Sequence, residues 1–578
     1  MNKNENLKKI IDLFKNGNFN EALGLCEQFQ DNQNKHIIKN LKGAIYFKQK
    51  KYDLAKENFS QSIELNKKFI DPYNNLYSLL MTNKEYNNSV VIAKKILELD
   101  KKNPLSHFKL AYAFEVSGNL SQSINHYNSA INSGFEDKKI IFNNLGNIYL
   151  QLDKLEKSIE FFILAYEQSK DNKFIINNLI RALIKKRDVV KAEKFLKIAE
   201  EIDKEFIEYL YNKAEFLLLF KKLNEAINIL NTLISTKKDP KFFLLLSKIY
   251  FTLGDELNGN NIIKDMFLLF PKDYKVLNFK GMRDLYEGNF KDGWKYYEFR
   301  RSALNNLYPE INKWNGEPLK EKKILVYNEQ GIGDCIQFSK YLLPLNKLCK
   351  NIDFLVNEKI LNMFKKDLKE INICTKKDIN LNKYDFKIPL GSLLKFFYTD
   401  INNYSENLIH IDKNLSKDLE KHIDKSKLNI GIIWSGSMYG PREPYSSIPL
   451  YKMKKILDLD ANFYSLQNEI RDTDKDFYDK AKIKKFGHLS FNEIPSFMNN
   501  LDLIISTDTS FLHLAGSINK QTWALLPLNT DWRWGKFFDL NPYNNTKIYK
   551  QKNFDNWDEV LNLVETDLIK KIQLNKLN

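Results

Sequence analysis

In the first half of the chain, small and bulky apolar positions alternate with polar ones in a long, regular period. Small or turn-facing positions fall at Gly43, Tyr77, Ala111, Gly146, Ile180, Ala214, Ser247 and Gly281, in steps of 33 to 35 residues. Three residues after most of them comes a bulky apolar side chain, as at Tyr46, Leu80, Phe114, Tyr149 and Leu183. Twelve residues after each comes a small one: Ala55, Ser89, Ser123, Ser158, Ala192, Ala226, Gly259 and Gly293. Pairs such as Phe59/Ser62, Tyr127/Ala130 and Phe162/Ala165 follow four and seven residues further on. Spacings of three, four and seven share one stripe of a helix. The pattern therefore predicts repeated helical hairpins, with small residues where two helices touch and large ones filling the adjacent holes. A single hairpin cannot bury its stripe, so stacked neighbours must supply the core.

The period and the order of small and large positions resemble the tetratricopeptide repeat, with about nine units over residues 1–305 and Ala22 marking a weaker first one. An α-helical solenoid of this kind does no chemistry by itself; its concave face takes a peptide or protein partner. Trp314-Asn315-Gly316-Glu317-Pro318-Leu319 interrupts the helical pattern, and its Gly and Pro place a linker over residues 306–322.

Past Lys323 the period changes. Ile324–Tyr327, Phe354–Val356, Phe386–Ile388, Ile430–Trp434, Phe463–Leu466, Leu503–Ser506 and Trp523–Leu526 read as short buried strands. Helical runs lie between them, such as Cys335–Leu348, Tyr451–Leu457 and Phe491–Asn500. Strands alternating with helices predict parallel sheets with crossover helices. Two groups emerge, a compact lobe over residues 323–412 with few strand candidates and a second over 428–578, joined by a polar segment at 413–427. Two Rossmann-like lobes facing each other would hold a ligand at the carboxyl ends of their strands. This division also predicts that removing residues 1–300 leaves nucleotide binding intact while weakening the use of an acceptor.

Composition changes the picture little. The chain has 578 residues, 43% hydrophobic and 28% charged, which is ordinary for globular domains. Lys and Arg number 89 against 73 Asp and Glu, a formal charge of +16, but the lysines are scattered and no polybasic tail is present. That reads as a compositional bias and not as a nucleic-acid surface. Cys26, Cys335, Cys349 and Cys374 fit neither a disulfide framework nor a zinc pattern. The first 24 residues lack the apolar run of a signal peptide, and no stretch approaches the roughly 20 apolar residues of a membrane span. The expectation is a cytoplasmic protein, with peripheral association at the inner face of a membrane left open.

Three segments bear candidate chemistry. In Glu329-Gln330-Gly331-Ile332-Gly333-Asp334, Gly331 and Gly333 let the backbone turn off a strand and approach a ligand, and the helix start that follows favours anions. Asp334 either serves as a general base toward a hydroxyl or simply caps the helix. In Ser506-Thr507-Asp508-Thr509-Ser510, a buried strand ends in hydroxyls and a carboxylate where a helix begins, with His513 one turn on. That segment suits a diphosphate, or it is an ordinary capped helix with a packed histidine. In Trp434-Ser435-Gly436-Ser437, followed by Arg442, hydroxyls and one arginine suit phosphate; a plain strand-to-helix loop explains them almost as well. There is no serine nucleophile elbow, P-loop lysine motif or paired-histidine metal site.

Together these segments resemble glycosyltransferase family 9, the ADP-heptose:lipopolysaccharide heptosyltransferases, in its subgroup with tetratricopeptide repeats. The resemblance runs from about Gly288 to the end. It is carried by Tyr297-Glu298-Phe299-Arg300, Trp314 with Gly316-Glu317, Glu329 to Asp334 with Ile336-Gln337-Phe338, and Ser465-Leu466-Gln467. Asp508-Thr509 with His513-Leu514-Ala515-Gly516, and Pro527 with Asp531-Trp532-Arg533-Trp534, complete it. It implies a GT-B fold and an inverting, metal-independent transfer of a sugar from a nucleotide-diphosphate donor, without a cofactor. By that resemblance Asp334 is the general base. Gly331, Gly333, Trp434, Ser435, Gly436, Ser437, Gln467, Asp508, Thr509, Ser510 and His513 bind the donor, and Arg442 is the candidate phosphate contact. The subgroup's basic residue before Ser-Ile is Ser446 here, so heptose does not follow as the donor sugar.

The implied partners are a nucleotide-sugar, a surface-glycan or protein acceptor, and a protein on the solenoid, with no nucleic acid. Two other readings stand beside this one. One is a protein glycosyltransferase like the O-linked N-acetylglucosamine transferases, and the other is a repeat scaffold with a silent transferase-like domain.

Overall fold

In the computed structural model, residues 3–29, 33–300, 307–364, 371–398, 408–438, 440, 443–485, 489–536 and 543–577 are described. Eighteen helices among them run from Lys3–Lys15 to Phe290–Tyr297 and form nine successive hairpins. Small residues sit where the period puts them, for a steric reason. A Cβ on Gly43 would stand 2.6 Å from the ring of Phe59, and one on Gly146 would stand 2.6 Å from that of Phe162. Both rings are fully buried. The Ser158 hydroxyl donates to the Gly146 carbonyl at 2.8 Å, closing the same hairpin. Side-chain amides link successive hairpins at a spacing of one repeat. Asn75 donates to Asn40 at 2.9 Å, Asn178 to Asn143 at 2.9 Å, and Asn212 to Asn177 at 3.1 Å.

The chain divides into two compact units, residues 1–216 and 217–578. The break falls within the helix Ile207–Leu219, inside the repeats and not near residue 305. The second unit therefore contains the last repeat helices together with all the strands. The reason is packing. Leu285, Trp294 and Tyr297 of the final hairpin are buried in the same apolar cluster as Ile324, Phe338 and Leu514. Polar contacts extend that join. The Tyr445 hydroxyl donates to the Leu218 carbonyl at 2.7 Å, the Lys536 N–H donates to the Tyr286 carbonyl at 2.9 Å, and Lys221 pairs with Asp555. Gly535 is pressed so closely against Tyr286 that a Cβ there would lie 2.4 Å from its carbonyl oxygen. The final hairpin therefore packs as part of the second unit, against its strands.

Two wholly parallel sheets follow. The first is built from β1 (Asn312–Lys313), β2 (Lys323–Tyr327), β3 (Asn351–Leu355), β4 (Ile371–Cys374) and β5 (Phe386–Pro389), in the order β1-β5-β2-β3-β4. The second comprises β6 (Asn429–Ile433), β7 (Asn462–Ser465), β8 (Ile483–Lys485), β9 (Leu503–Thr507), β10 (Thr522–Leu526) and β11 (Thr546–Lys550), in the order β11-β10-β9-β6-β7-β8. Period-two alternation assigns the faces. Ile430, Ile432, Leu503 and Ile505 point to a core covered by the last helix, Trp557–Leu577, while Ile433 and Ile504 point to the core that also takes the first sheet and the final hairpin.

Several boundaries differ from the sequence reading. The expected linker 306–322 holds β1, which pairs with β5 through Asn312↔Phe386. The expected joining segment 413–427 begins with a helix, Lys413–Glu420, capped by Asp412. The helical run 335–348 is two helices, Ile332–Ser339 and Leu342–Leu348. Among the described residues the first sheet has five strands, of which the sequence pattern marks three, β2, β3 and β5.

Candidate functional site

Each sheet reverses its strand order once, and those reversals place the loops of interest. In the first sheet, β2 lies between β3 and β5, and the loops leaving β2 and β5 carry Glu329–Asp334 and Gly391–Ser392. In the second, β6 lies between β7 and β9, and the loops leaving β6 and β9 carry Trp434–Ser437 and Asp508–Thr509. Such a switch point opens a crevice at the strand carboxyl ends, because successive crossovers depart in opposite directions. A cleft of about 400 Å³ lies there, and its walls come from three sources. Gln330, Gly333 and Asp334 come from the first sheet; Asp508, Thr509, Ser510 and His513 leave β9; and Asp531, Trp532 and Arg533 leave β10. The final hairpin supplies the rest, with Asn278, Met282, Tyr297 and Arg300.

The two helices that start at the cleft, Ile332–Ser339 and Ser510–Ser517, pack against each other at their first turns. Gly333 permits this: a Cβ on it would lie 3.2 Å from His513 Cδ2 and 3.3 Å from the Ser510 Cα. Asp334 occupies the third position of its helix, and its Oδ2 accepts the Gly331 N–H at 3.1 Å, one half of a capping box. Its Oδ1 receives Arg533 Nη2. At the other helix, Thr509 makes no side-chain capping bond, while its hydroxyl lies 3.3 Å from that of Ser506.

Arg533 holds two carboxylates at once, Asp334 through Nη2 and Asp531 through Nη1. Its guanidinium lies over the rings of Trp532, at 4.6 Å, and Phe338, at 5.0 Å. Trp532 is itself enclosed by Trp294 and Tyr297, with centroids 5.4 and 5.5 Å away. Burial disfavours the Arg533 charge, but Asp531 and Asp334 outweigh that and keep the group firmly cationic.

Arg300 organises the opposite wall. Its Nη2 donates to Glu329 Oε1 at 2.6 Å and to the Ser392 hydroxyl at 2.9 Å, and its Nη1 donates to Glu298 Oε1 at 2.9 Å. Burial works against the charge of Glu298, yet Arg300, Lys313 and Ser392 hold its pKa down at about 2. Gly391 is needed here because a Cβ would meet the Gln330 amide at 2.6 Å and Glu329 at 2.8 Å. The Tyr297 hydroxyl and the Gln330 amide, 3.0 Å apart, carry this network to the lip of the cleft.

His513 is enclosed by protein. Nδ1 lies 3.0 Å from the Tyr543 hydroxyl, Nε2 lies 3.7 Å from Asp508, and the ring stacks on Trp534. Desolvation dominates over Asp508 and brings its pKa down to about 4, so the imidazole is neutral at pH 7. The unfolded chain takes up a proton at this histidine below about pH 6.5, and the folded one does not until about pH 4. Its stabilising contribution is therefore complete above pH 6.5 and falls as the pH drops toward 4, by about 2 kcal/mol at pH 5. All seven tryptophans lie between Trp294 and Trp557, so their fluorescence reports the second unit. Urea midpoints at pH 7.5 and 5.0 should separate more for wild type than for His513→Gln; an equal separation would contradict the assignment.

The residues singled out from sequence do not all share one position. Gly333, Asp334, Asp508, Thr509, Ser510 and His513 line the cleft. Gly331 caps the helix behind Asp334. Trp434 does not reach the cleft: its indole is buried in the core under the second sheet and donates to Asp474 at 2.9 Å. It supports the loop from beneath, because alternation along β6 turns this position away from the crevice. Gln467 bonds the Ser435 main chain in both directions, at 2.9 and 3.2 Å, and so positions that loop. Gly436 faces Thr509, with a would-be Cβ 3.8 Å from its methyl group, and Ser437 is exposed beside it. Arg442 lies outside the described residues. Arg471, which sequence reasoning passed over, braces the same loop through Glu443, Ser447 and the Gly436 carbonyl.

Among the described residues, no group of three His, Cys, Asp or Glu side chains could hold a metal ion, and all four cysteines are free and buried. No described helix is long and apolar enough to cross a membrane.

Comparison with known proteins reaches the repeats more firmly than the sheets. The tetratricopeptide-repeat family matches residues 38–69 and 141–172. The TPR repeat-containing protein MJ1428 of Methanocaldococcus jannaschii is 22% identical over 306 residues, 48% of this chain and 54% of that protein, so the match spans about half of its length. Protein FlbA of Caulobacter vibrioides is 19% identical over 527 residues, 84% of this chain and 87% of that one. A solved tetratricopeptide repeat protein from Parabacteroides merdae matches 41% of this chain and 94% of its own, at 16% identity and a TM-score of 0.37. The chain thus carries tetratricopeptide repeats, elements that suit binding to other proteins.

Proposed function

We propose that this protein is a GT-B-type glycosyltransferase that moves a sugar from a nucleotide-diphosphate donor to a hydroxyl of a glycan or protein acceptor. The observation that carries the reading is the meeting, in one cleft, of two helix starts some 175 residues apart, with Asp334 on one and Asp508-Thr509-Ser510 on the other. Asp334 takes the proton of the acceptor hydroxyl, the oxygen attacks the anomeric carbon, and the bond to the diphosphate oxygen breaks with its electron pair leaving on that oxygen. N–H groups at the start of the Ser510–Ser517 helix favour the developing negative charge, as does the polar loop Ser435–Ser437. Asn278 and Met282 bring the last repeat to the cleft wall, which supports delivery of the acceptor from the solenoid. This acceptor role is why a transferase would merge its final repeats with the sheets.

The test begins with thermal shift of the full chain against ADP, UDP, GDP and CMP and their sugars. A donor at 100 times its dissociation constant should stabilise the protein by about 2.7 kcal/mol. The stabilising nucleotide-sugar should then be turned over to free nucleotide, with Asp334→Asn slower by about 10²- to 10⁴-fold. Turnover unchanged in that variant would remove Asp334 as the base. If no donor binds or turns over, the second reading stands: a protein-interaction scaffold, favoured by a family match that lies wholly in the repeats.

A further inference from the structure

The cleft poses an electrostatic problem that its own residues resolve. Three carboxylates, Asp334, Asp508 and Asp531, line it, and the buried His513 is neutral at pH 7. A diphosphate entering there meets like charge unless a cation turns to it. Arg300 lines the wall, but its guanidinium is engaged by Glu329, Glu298 and Ser392. Arg533 stands differently. Its side chain is nine-tenths buried, its plane is held against Trp532 and Phe338, and its fork spans Asp531 and Asp334.

Those two partners are not equivalent. Asp531 lies two residues away on the same loop and also accepts the Arg533 main-chain N–H at 3.3 Å, so it moves with the arginine. Asp334 belongs to a different sheet and a different helix, and it keeps the Gly331 N–H when the arginine leaves. We propose that Arg533 receives the diphosphate of the donor and, in doing so, exchanges Asp334 for phosphate, so that the carboxylate becomes available to a hydroxyl only when the donor is seated.

The inference rests on the reading of the cleft as a nucleotide-sugar site and goes beyond it, because it names the gripping cation and couples donor binding to release of the base. The chemistry favours the exchange. A diphosphate presents more charge and more acceptor oxygens to a guanidinium fork than one carboxylate does, and bidentate arginine–phosphate pairs are among the stronger charge-assisted bonds. The adjoining starts of the Ile332–Ser339 and Ser510–Ser517 helices add a field of the same sign.

Calorimetric titration of the full chain with pyrophosphate and with ADP, UDP, GDP and CDP, each beside its nucleoside, tests this. Wild type should bind a nucleoside diphosphate and not the bare nucleoside. Asp334→Asn, which removes the competing carboxylate, should bind it about tenfold more tightly, and Arg533→Gln should bind it at least about tenfold more weakly. In the Arg533→Gln background the gain from Asp334→Asn should largely vanish. A gain that persists there would show plain relief of repulsion and overturn the exchange; so would an Asp334→Asn variant that binds no more tightly than wild type. Should Arg533→Gln fail to fold, Arg533→Lys takes its place as the background. It should bind several-fold more weakly than wild type and gain less from Asp334→Asn, and an undiminished gain would again overturn the exchange. Turnover adds an independent readout: Arg533→Lys should raise the donor KM and also lower kcat, which a role confined to binding would not do. If wild type binds none of the four diphosphates, the nucleotide-sugar reading falls and this inference falls with it; if wild type binds but the variants do not differ from it, only the exchange is lost.

Discussion

A chain that begins after Arg300 should fail to hold a folded second half, whereas one that begins at Lys204 should fold with its tryptophan fluorescence and cooperative unfolding intact. The shorter chain loses Leu285, Trp294 and Tyr297 from the main apolar cluster, each of them at most 5% exposed. Truncating one large buried side chain costs about 3–5 kcal/mol, and the net stability of a domain is only about 5–15 kcal/mol. Removing the whole hairpin therefore exceeds what the remaining fold can sustain. It also exposes Trp532, which then lacks the two rings that enclose it. The comparison needs only soluble yield and a urea transition followed by fluorescence. A well-folded chain starting after residue 300 would show that the last repeats merely lie against the sheets.

Replacing Arg300 by alanine should destabilise the second unit by about 3–5 kcal/mol. The loss comes from the carboxylates left behind and exceeds the value of any one bond. The Glu329 side chain is only 1% exposed and would lose its arginine, while Glu298 would keep only Lys313 and Ser392. Arg300→Lys should recover only part of the loss, since an ammonium lacks the planar fork with which Arg300 spans Glu329 and Glu298. Glu329→Gln should be milder than Arg300→Ala, because Arg300 keeps Glu298. A change below about 1 kcal/mol in the Arg300→Ala urea transition would mean that the network is solvated and carries little energy. The same variant should loosen Gln330 and the approach to Asp334, since the Glu329 carboxylate also accepts the Gly391 N–H at 3.3 Å.

What was legible from sequence follows the range of the interactions involved. Helical hairpins and central strands announce themselves because their signals are local. Each hairpin repeats the same small and large positions, and strands such as Ile430–Ile433 and Leu503–Thr507 are short apolar runs. Peripheral strands carry no such signal. β1 is two residues, Asn312–Lys313, both exposed, and exists because β5 offers it a partner. β8 reads Ile-Lys-Lys, and β11 alternates weakly at the sheet edge. β4, Ile371–Cys374, is too short to stand out from its lysine-rich surroundings.

The candidate site divides in the same way. Gly331, Gly333 and Asp334, and Asp508 to Ser510 with His513, could be picked out because strand ends followed by helix starts leave a compact mark in the chain. Their meeting in one cleft could not, nor could the fate of each side chain within it. Trp434 sits in a conspicuous motif yet faces the core, a matter of register along β6. Arg300 and Arg533 were visible as residues beside Glu298 and Asp531, but the partners that tie them across the cleft, Glu329 and Asp334, are 29 and 199 positions away. The sequence by itself determined the repeats, the alternation of strand and helix, and which short segments could carry chemistry, because those depend on residues within a turn or two of one another. Only the tertiary structure decided that the last repeats are a wall of the cleft, that Gly333 exists to let two helices touch, and that Asp334 is held by Arg533, because ion pairs and close packing are set by distance in space.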